Sequence, residues 1–268
     1  MINSLKINTE NILKKIEDGI LRETPFLSAG KLIRSKITLL LLCTYNTDIT
    51  ADYITVLTAG ELIHCASLLH DDVIDEEDER RNTNSVRKVY DNKTSILYGN
   101  KTLTKAFDML LKTDSVNTIN IFNKTISKMC DGELLQIKQK NSVPTMDEYI
   151  EKSYLKTGSL FEGIILSISE LSNGYLPQEL SDFGKYFGTA FQIKNDLDNI
   201  LSSKTDIENG IYTAPVIFSN GLNINEDSIE KTHCLIDNYT RKAINLISNT
   251  EDSEYKESLI EVIKCLNK

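Results

Sequence analysis

Apolar residues recur along this chain at three- and four-residue spacing, in long stretches free of proline. The four prolines, Pro25, Pro144, Pro177 and Pro215, each fall between such stretches, where a missing N–H and a fixed φ break a helix. The spacing predicts helices over about 3–20, 30–46, 52–75, 94–112, 116–140, 146–172, 177–203, 212–220, 226–247 and 252–266. Few β-branched alternations occur and no Asn-Gly turn joins two of them, so no sheet is expected. No linker, low-complexity tract or internal repeat divides the 268 residues, a length near the upper end of what one core supports. The expected architecture is all-α, one domain over 1–268 forming a single large bundle of about ten helices.

One helix breaks its own apolar pattern. Glu61-Leu62-Ile63-His64-Cys65-Ala66-Ser67-Leu68-Leu69-His70-Asp71-Asp72-Val73-Ile74-Asp75 begins greasy and ends acidic, with Arg80-Arg81 soon after. Asp71 and Asp75 are four apart, so a helix points both carboxylates the same way, one turn apart. His64 lies two turns back along nearly the same line. Aligned carboxylates repel unless a cation sits between them, and oxygen ligands of this kind suit magnesium, which takes its other ligands from water and phosphate. Arg80 and Arg81 add fixed positive charge for phosphate oxygens. Acidic runs are usually solvated surface, and Glu76–Glu79 extend this one. Leu68 and Leu69 directly before it favour a built diphosphate site instead.

Charge and cysteine usage narrow the partners. Thirty basic against 39 acidic residues leave −9, which argues against nucleic acid or an anionic membrane. Five scattered cysteines without a CxxC pair read as reduced cytosolic thiols, so a cytoplasmic location is expected. Residues 1–10 lack the apolar core of a signal peptide. The run Leu39–Cys43 is far too short for a transmembrane segment.

Four further stretches could carry chemistry. Gly30-Lys31-Leu32-Ile33-Arg34 reads as a helix start with Lys31 and Arg34 on one face, beside backbone N–H groups that favour anions. Taken alone, the segment is more simply an ordinary basic helix start. In Lys156-Thr157-Gly158-Ser159 a glycine inside a helix implies either close helix packing or a local break that frees Lys156 and Thr157. Gln192, Asp196 and Asn199 follow i, i+4, i+7, and Asn195 precedes Asn199 by four, giving a second polar cluster or simply a wet face. Gly132-Glu133-Leu134-Leu135-Gln136 puts Glu133 and Gln136 on one face, with surface placement the plain alternative.

In this order, "GKLIR", "IHCASLLHDDVIDEEDERR", "GELLQ", "LKTGSLF" and "FQIKNDLDN" resemble the trans-isoprenyl diphosphate synthases, the polyprenyl synthetase family, from about Gly30 to Pro215. The resemblance implies a bundle of the isoprenoid synthase type around a central cavity. It implies head-to-tail condensation of isopentenyl diphosphate with an allylic prenyl diphosphate, dependent on Mg2+, in a homodimer or a heteromer. Asp71, Asp72 and Asp75, with Asn195, Asp196 and Asn199, stand at its metal positions. Arg80, Lys156 and Gln192 match the allylic diphosphate site, with Lys156 and Thr157 acting on the leaving group. Lys31, Arg34, His64 and Arg81 match the isopentenyl diphosphate site. Ala66 and Ser67 stand where bulky aromatics stop chain growth, so their small size implies a product longer than farnesyl.

The departures are specific. Ser35 replaces the proline that usually follows the GKxxR arginine, Asn82 replaces a glycine, and Asn195 and Asn199 replace two aspartates of the second motif. Asp198 is out of register, and Lys204 is a candidate for a lysine usual in the following loop. Two rival readings follow. A class I terpene cyclase shares the Asn195-Asp196 start, but Asn199 and Ser203 then stand where a hydroxyl residue and a glutamate belong. A catalytically impaired subunit of a heteromeric synthase fits the asparagines but not the retained Asp71, Asp75, Arg80, Arg81 and Lys156.

Overall fold

The computed structural model describes residues 2–24, 30–80 and 83–267. In chain order the helices are α1 (Ile2–Glu23), α2 (Ile33–Thr44), α3 (Ala51–Ile74), α4 (Val86–Val89), α5 (Asn92–Leu110), α6 (Val116–Gln139) and α7 (Met146–Ser153). A π-helical turn at Tyr154–Gly158 leads into α8 (Ser159–Leu171). Then come α9 (Ser181–Ser202), α10 (Thr205–Glu208), α11 (Ala214–Phe218), α12 (Glu226–Leu246) and α13 (Glu254–Cys265). All ten expected helical segments have counterparts. Several details differ: residues 146–172 are interrupted by the π turn, the short helices α4 and α10 are additional, residues 30–32 form a turn, and β1 (Glu79–Arg80) pairs antiparallel with β2 (Thr83–Asn84). With two residues a strand, that ladder is too short to leave an alternation pattern.

Local chemistry sets the helix ends. Thr50 accepts from the Tyr53 N–H to start α3, and Asp91 accepts from the Thr94 N–H to start α5. Thr145 and Glu148 close a reciprocal capping box at α7. Asn225 and Ser228 do the same at α12.

The chain divides into two compact units, Met1–Leu42 with Thr47–Asn120, and Cys43–Asn46 with Ile121–Lys268. In the first, α3 is the axis: Val56, Leu57, Ala59, Leu62 and Leu69 are fully buried. Gly99 of α5 has no room for a Cβ because the His70 ring lies against it, and Ser95 donates to the Leu69 carbonyl at 2.8 Å. These two contacts fix α5 alongside the acidic end of α3.

In the second unit α8 and α9 pack at backbone distance. A Cβ on Gly184 would stand 2.7 Å from the Phe161 carbonyl oxygen, and one on Gly188 would stand 2.7 Å from Gly158 Cα. Phe161 meets Phe187 edge-on, with ring centroids 5.3 Å apart. Tyr149, Ala190, Ile193, Leu197, Ala214 and Ile236 form a fully buried cluster that holds α7, α9, α11 and α12 together. All five cysteines are free, and no described helix is long and apolar enough to cross a membrane.

Candidate active site

In the first unit, α3 carries the acidic motif to its last turn. The Asp75 N–H still donates to the Asp71 carbonyl at 2.8 Å, so the two aspartates keep helical spacing although Asp75 is the cap. Glu76 then takes a left-handed φ of 54° and turns the chain away. Asp72, one residue on from Asp71, points elsewhere: it is 3% exposed and accepts from Arg80 Nε at 2.7 Å. A second guanidinium nitrogen, Nη2, reaches the same oxygen. The β1–β2 pair brings Arg80 back to α3. It is secured by the Ser85 N–H donating to the Asp78 carbonyl and by ion pairs from Arg87 and Lys88 to the Asp78 carboxylate. Glu76, Asp78 and Glu79 of the acidic run are solvated. Arg81, expected to hold isopentenyl diphosphate, lies outside the described residues, as does Asn82.

The GKLIR segment is placed differently from its expectation. Leu32 has a left-handed φ of 51° and α2 begins only at Ile33, so exposed Lys31 sits in a turn and shares no helical face with Arg34. Arg34 is 8% exposed in the first turn of α2. His64 is half-buried on α3, and Ser67 donates to its carbonyl at 2.9 Å. Ala66 is buried.

The second unit assembles the other motifs into one connected network. Thr157 Oγ1 donates to Gln192 Oε1, Gln192 Nε2 donates to Asp196 Oδ1 at 2.6 Å, and Tyr149 Oη donates to Asp196 Oδ2 at 2.7 Å. The π turn explains how Thr157 and Lys156 reach this network. Widening the helix by one residue re-aims side chains, a device frequent at functional sites. Gly132 makes room for it, since a Cβ there would stand 2.8 Å from the Lys156 N. Lys156 pairs with Glu133, whose other oxygen accepts from Gln136 at 3.3 Å. The Glu133–Gln136 face therefore points inward to Lys156 and is not mere surface.

Burial drives Asp196 up from the usual carboxylate range, opposed by Lys152 and by its hydrogen bonds from Tyr149 and Gln192. The same burial, with Asp196 beside it, holds the Tyr149 phenol well above its ordinary value. Asn195 is exposed. Asn199 is committed locally, donating to Thr205 Oγ1 at 2.8 Å and accepting from the Asp206 N–H at 3.2 Å. Asp198 faces away and pairs with Lys194. Tyr149 belongs to this network and Lys152 lies beside its ring, and the motifs alone miss both; their one signal in the sequence is spacing, since they precede Lys156 by seven and four residues.

The two motifs differ as metal donors. Among the described residues no group of three or more His, Cys, Asp or Glu side chains is placed to hold an ion alone. Asp71 and Asp75 at helical spacing suit a hard divalent ion that completes its shell with diphosphate and water. The second motif offers one carboxylate already accepting two hydrogen bonds and two neutral amides, one of them engaged. That set fits a divalent ion poorly.

The match with known proteins follows these motifs. The polyprenyl synthetase family covers residues 21–250, and the chain belongs to that family of prenyltransferases. The decaprenyl-diphosphate synthase of Dictyostelium discoideum is 33% identical over 247 residues, 81% of this chain and 54% of that protein. This chain thus spans about half the length of that relative, at 54%. A prenyl transferase of Cyanidium caldarium is 31% identical over 307 aligned positions, covering 97% of this chain and 95% of that one. The polyprenyl synthase of Caulobacter crescentus CB15, solved with calcium and isoprenyl diphosphate, superposes with a TM-score of 0.86 at 20% identity. It covers 100% of this chain and 97% of its own, and it shares the all-α fold.

Proposed function

We propose that this chain, acting as one catalytic domain over 1–268, condenses isopentenyl diphosphate head-to-tail with an allylic prenyl diphosphate. The product is an all-trans prenyl diphosphate longer than farnesyl. The observation that carries the reading is the end of α3, where Asp71 and Asp75 stand one turn apart and Arg80 is brought back beside Asp72. The names of its relatives, a decaprenyl-diphosphate synthase and a prenyl transferase, support the chemistry.

Asp71 and Asp75, with Asp72 behind them, would hold magnesium, which when bound neutralises charge on the departing diphosphate oxygens. Asn195, Asp196 and Asn199 stand at the corresponding second position as weaker donors. Arg80 spends Nε and Nη2 on Asp72, and a guanidinium has five N–H donors, so others serve the allylic diphosphate. Lys156 and the Thr157–Gln192 pair supply fixed charge and dipoles for a diphosphate leaving group, where negative charge grows in the transition state. Lys31, Arg34, His64 and Arg81 hold isopentenyl diphosphate.

The allylic C–O bond breaks with its electron pair leaving on diphosphate. The isopentenyl double bond then forms the new C–C bond, and the released diphosphate takes up the proton whose loss restores an alkene. The apolar wall of α3 around Ala66 and Leu69 keeps water from the cationic carbon. The free cysteines support a reducing, cytoplasmic setting, and the family resemblance supports a homodimer. Incubating the pure chain with magnesium, isopentenyl diphosphate and allylic primers of increasing length, then resolving the products, tests the reading. Cyclised hydrocarbons would identify a terpene cyclase. Product formed only after a second synthase chain is added would identify a regulatory subunit.

A further inference from the structure

Lys152 lies in the last turn of α7 at 5% exposure, its ammonium 5.4 Å from the centre of the Tyr149 ring. Among the described residues it makes no hydrogen bond and no ion pair within 4 Å. The stem of Lys152 is buried, but its ammonium is not among the polar atoms sealed from solvent without a partner, so its three donors are open to a ligand. The charges around it are Asp196, Asp206 and Glu133, which favour the ammonium, and Lys156, which opposes it. Glu133 is paired with Lys156, and Asp196 accepts from Tyr149 and Gln192. The donors of Lys152 remain unspent, one turn before Lys156 and beside the second motif.

We propose that Lys152 is an anion-binding residue of this site and takes a diphosphate oxygen directly, its fixed ammonium supplying positive charge where the neutral amides of Asn195 and Asn199 are weak metal donors. The inference rests on the prenyl-transfer reading for the identity of the anion. Three carboxylates in the second motif would demand a cation. One carboxylate that already accepts hydrogen bonds from Tyr149 and Gln192 demands less, and it leaves room for a lysine nearby. Lys152 and Lys156 then present two ammonium groups on successive turns, which suits a polyanion better than either does alone. Desolvation pulls the Lys152 pKa down from the ordinary lysine value, against the pull of Asp196, and an arriving anion reverses that effect.

The test is calorimetric titration of the full chain with inorganic pyrophosphate, with and without magnesium. Wild type is compared with Lys152→Met, Lys152→Arg and Lys152→Gln, and thermal melting serves as the fold check. Lys152→Met should weaken pyrophosphate binding at least about tenfold, the loss of one charge-assisted hydrogen bond, with an undiminished melting temperature. Lys152→Arg should retain most of the affinity. Lys152→Gln keeps length and polarity without charge, and gives the same reading should the methionine variant not fold. Unchanged affinity in the neutral variants overturns the proposal. Prenyl transfer by wild type is measured alongside. Turnover with Lys152-independent pyrophosphate binding overturns this inference alone. Lys152-dependent binding without turnover overturns the prenyl-transfer reading and leaves the anion site standing.

Discussion

Ser35 gives both its backbone N–H and its hydroxyl to one oxygen of Glu61, at 3.0 and 2.9 Å, tying the first turn of α2 to the middle of α3. Glu61 is 2% exposed and Ser35 is fully buried. The N–H involved is one of the donors that a helix start leaves without an intrahelical partner. Proline at this position, as the family resemblance leads one to expect, has no N–H and no hydroxyl. The serine and the buried carboxylate therefore belong together. Ser35→Ala should cost about 1.5–3 kcal/mol in urea unfolding, the range for a hydrogen bond to a charged group. Ser35→Pro should cost more, and pairing it with Glu61→Leu should recover part of the loss. Equal stability of wild type and Ser35→Pro would show that Glu61 finds other partners.

Asp71 and Asp72 are adjacent but should respond to substitution differently. Asp71→Ala removes half of a carboxylate pair at a half-buried position. It should lower kcat by about a hundredfold or more while leaving the melting temperature close to wild type. Asp72→Ala strips Arg80 of its partner at the buried end of α3, so it should lower both turnover and stability. The stability cost should be roughly 1–3 kcal/mol, since Arg80 is partly exposed and the pair is screened by solvent. Steady-state kinetics beside thermal melting separates the two, and identical stability losses would undo this distinction.

Elements whose chemistry repeats at helical spacing are legible in the amino-acid order itself. The polar residues of α3 and α9 fall at four- and seven-residue steps, so their grouping follows from helix geometry alone. Features made by contact are less legible. Lys152 in Tyr149-Ile150-Glu151-Lys152 reads as an ordinary surface lysine, and only the packing of α7 against α9 buries it. The π turn carries no proline, and Gly158 alone signals packing and a helix break equally well. Both hold here: Gly158 lies against Gly188 at the end of that turn. Residues 30–34 look helical, which would put Lys31 on a helical face, yet the left-handed Leu32 places it in a turn.

That separation of Lys31 from Arg34 makes the isopentenyl diphosphate pocket easier to probe. Lys31 is exposed, so Lys31→Ala should raise KM for isopentenyl diphosphate about tenfold, leave KM for the allylic substrate nearly unchanged and spare stability. Arg34 is buried, so Arg34→Ala should raise the same KM and also lower the melting temperature. Equal effects of Lys31→Ala on both substrates would mean that the turn serves the allylic diphosphate as well.

Product length is testable on the face of α3 before Asp71. Ala66 is 2% exposed, so Ala66→Phe crowds packed neighbours as well as any tail, at about 1–3 kcal/mol. Ser67 is half-buried and bonds only within its own helix, so Ser67→Phe is the cleaner probe. It should shift products toward shorter chains with little change in the rate of the first condensation. Chromatography of the dephosphorylated alcohols reads this directly. An unchanged distribution would place the limit to growth elsewhere.

Asn195 offers the final comparison. It is exposed on α9, next to the buried Asp196, and its amide oxygen can ligate a metal ion without contributing charge. Asparagine and aspartate are nearly the same shape, so Asn195→Asp should leave stability close to wild type. Its added charge should lower the magnesium concentration for half-maximal turnover several-fold, because affinity for such ions rises with the number of charged ligands. If that ion arrives with diphosphate and acts mainly as charge builds on the leaving group, kcat should respond more than KM. Combining Asn195→Asp with Lys152→Met exchanges fixed positive charge for a metal ligand, so the double variant should rely more heavily on magnesium. A wild-type enzyme saturated at low magnesium, with Asn195→Asp indistinguishable from it, would mean that α9 contributes no metal ligand at this position.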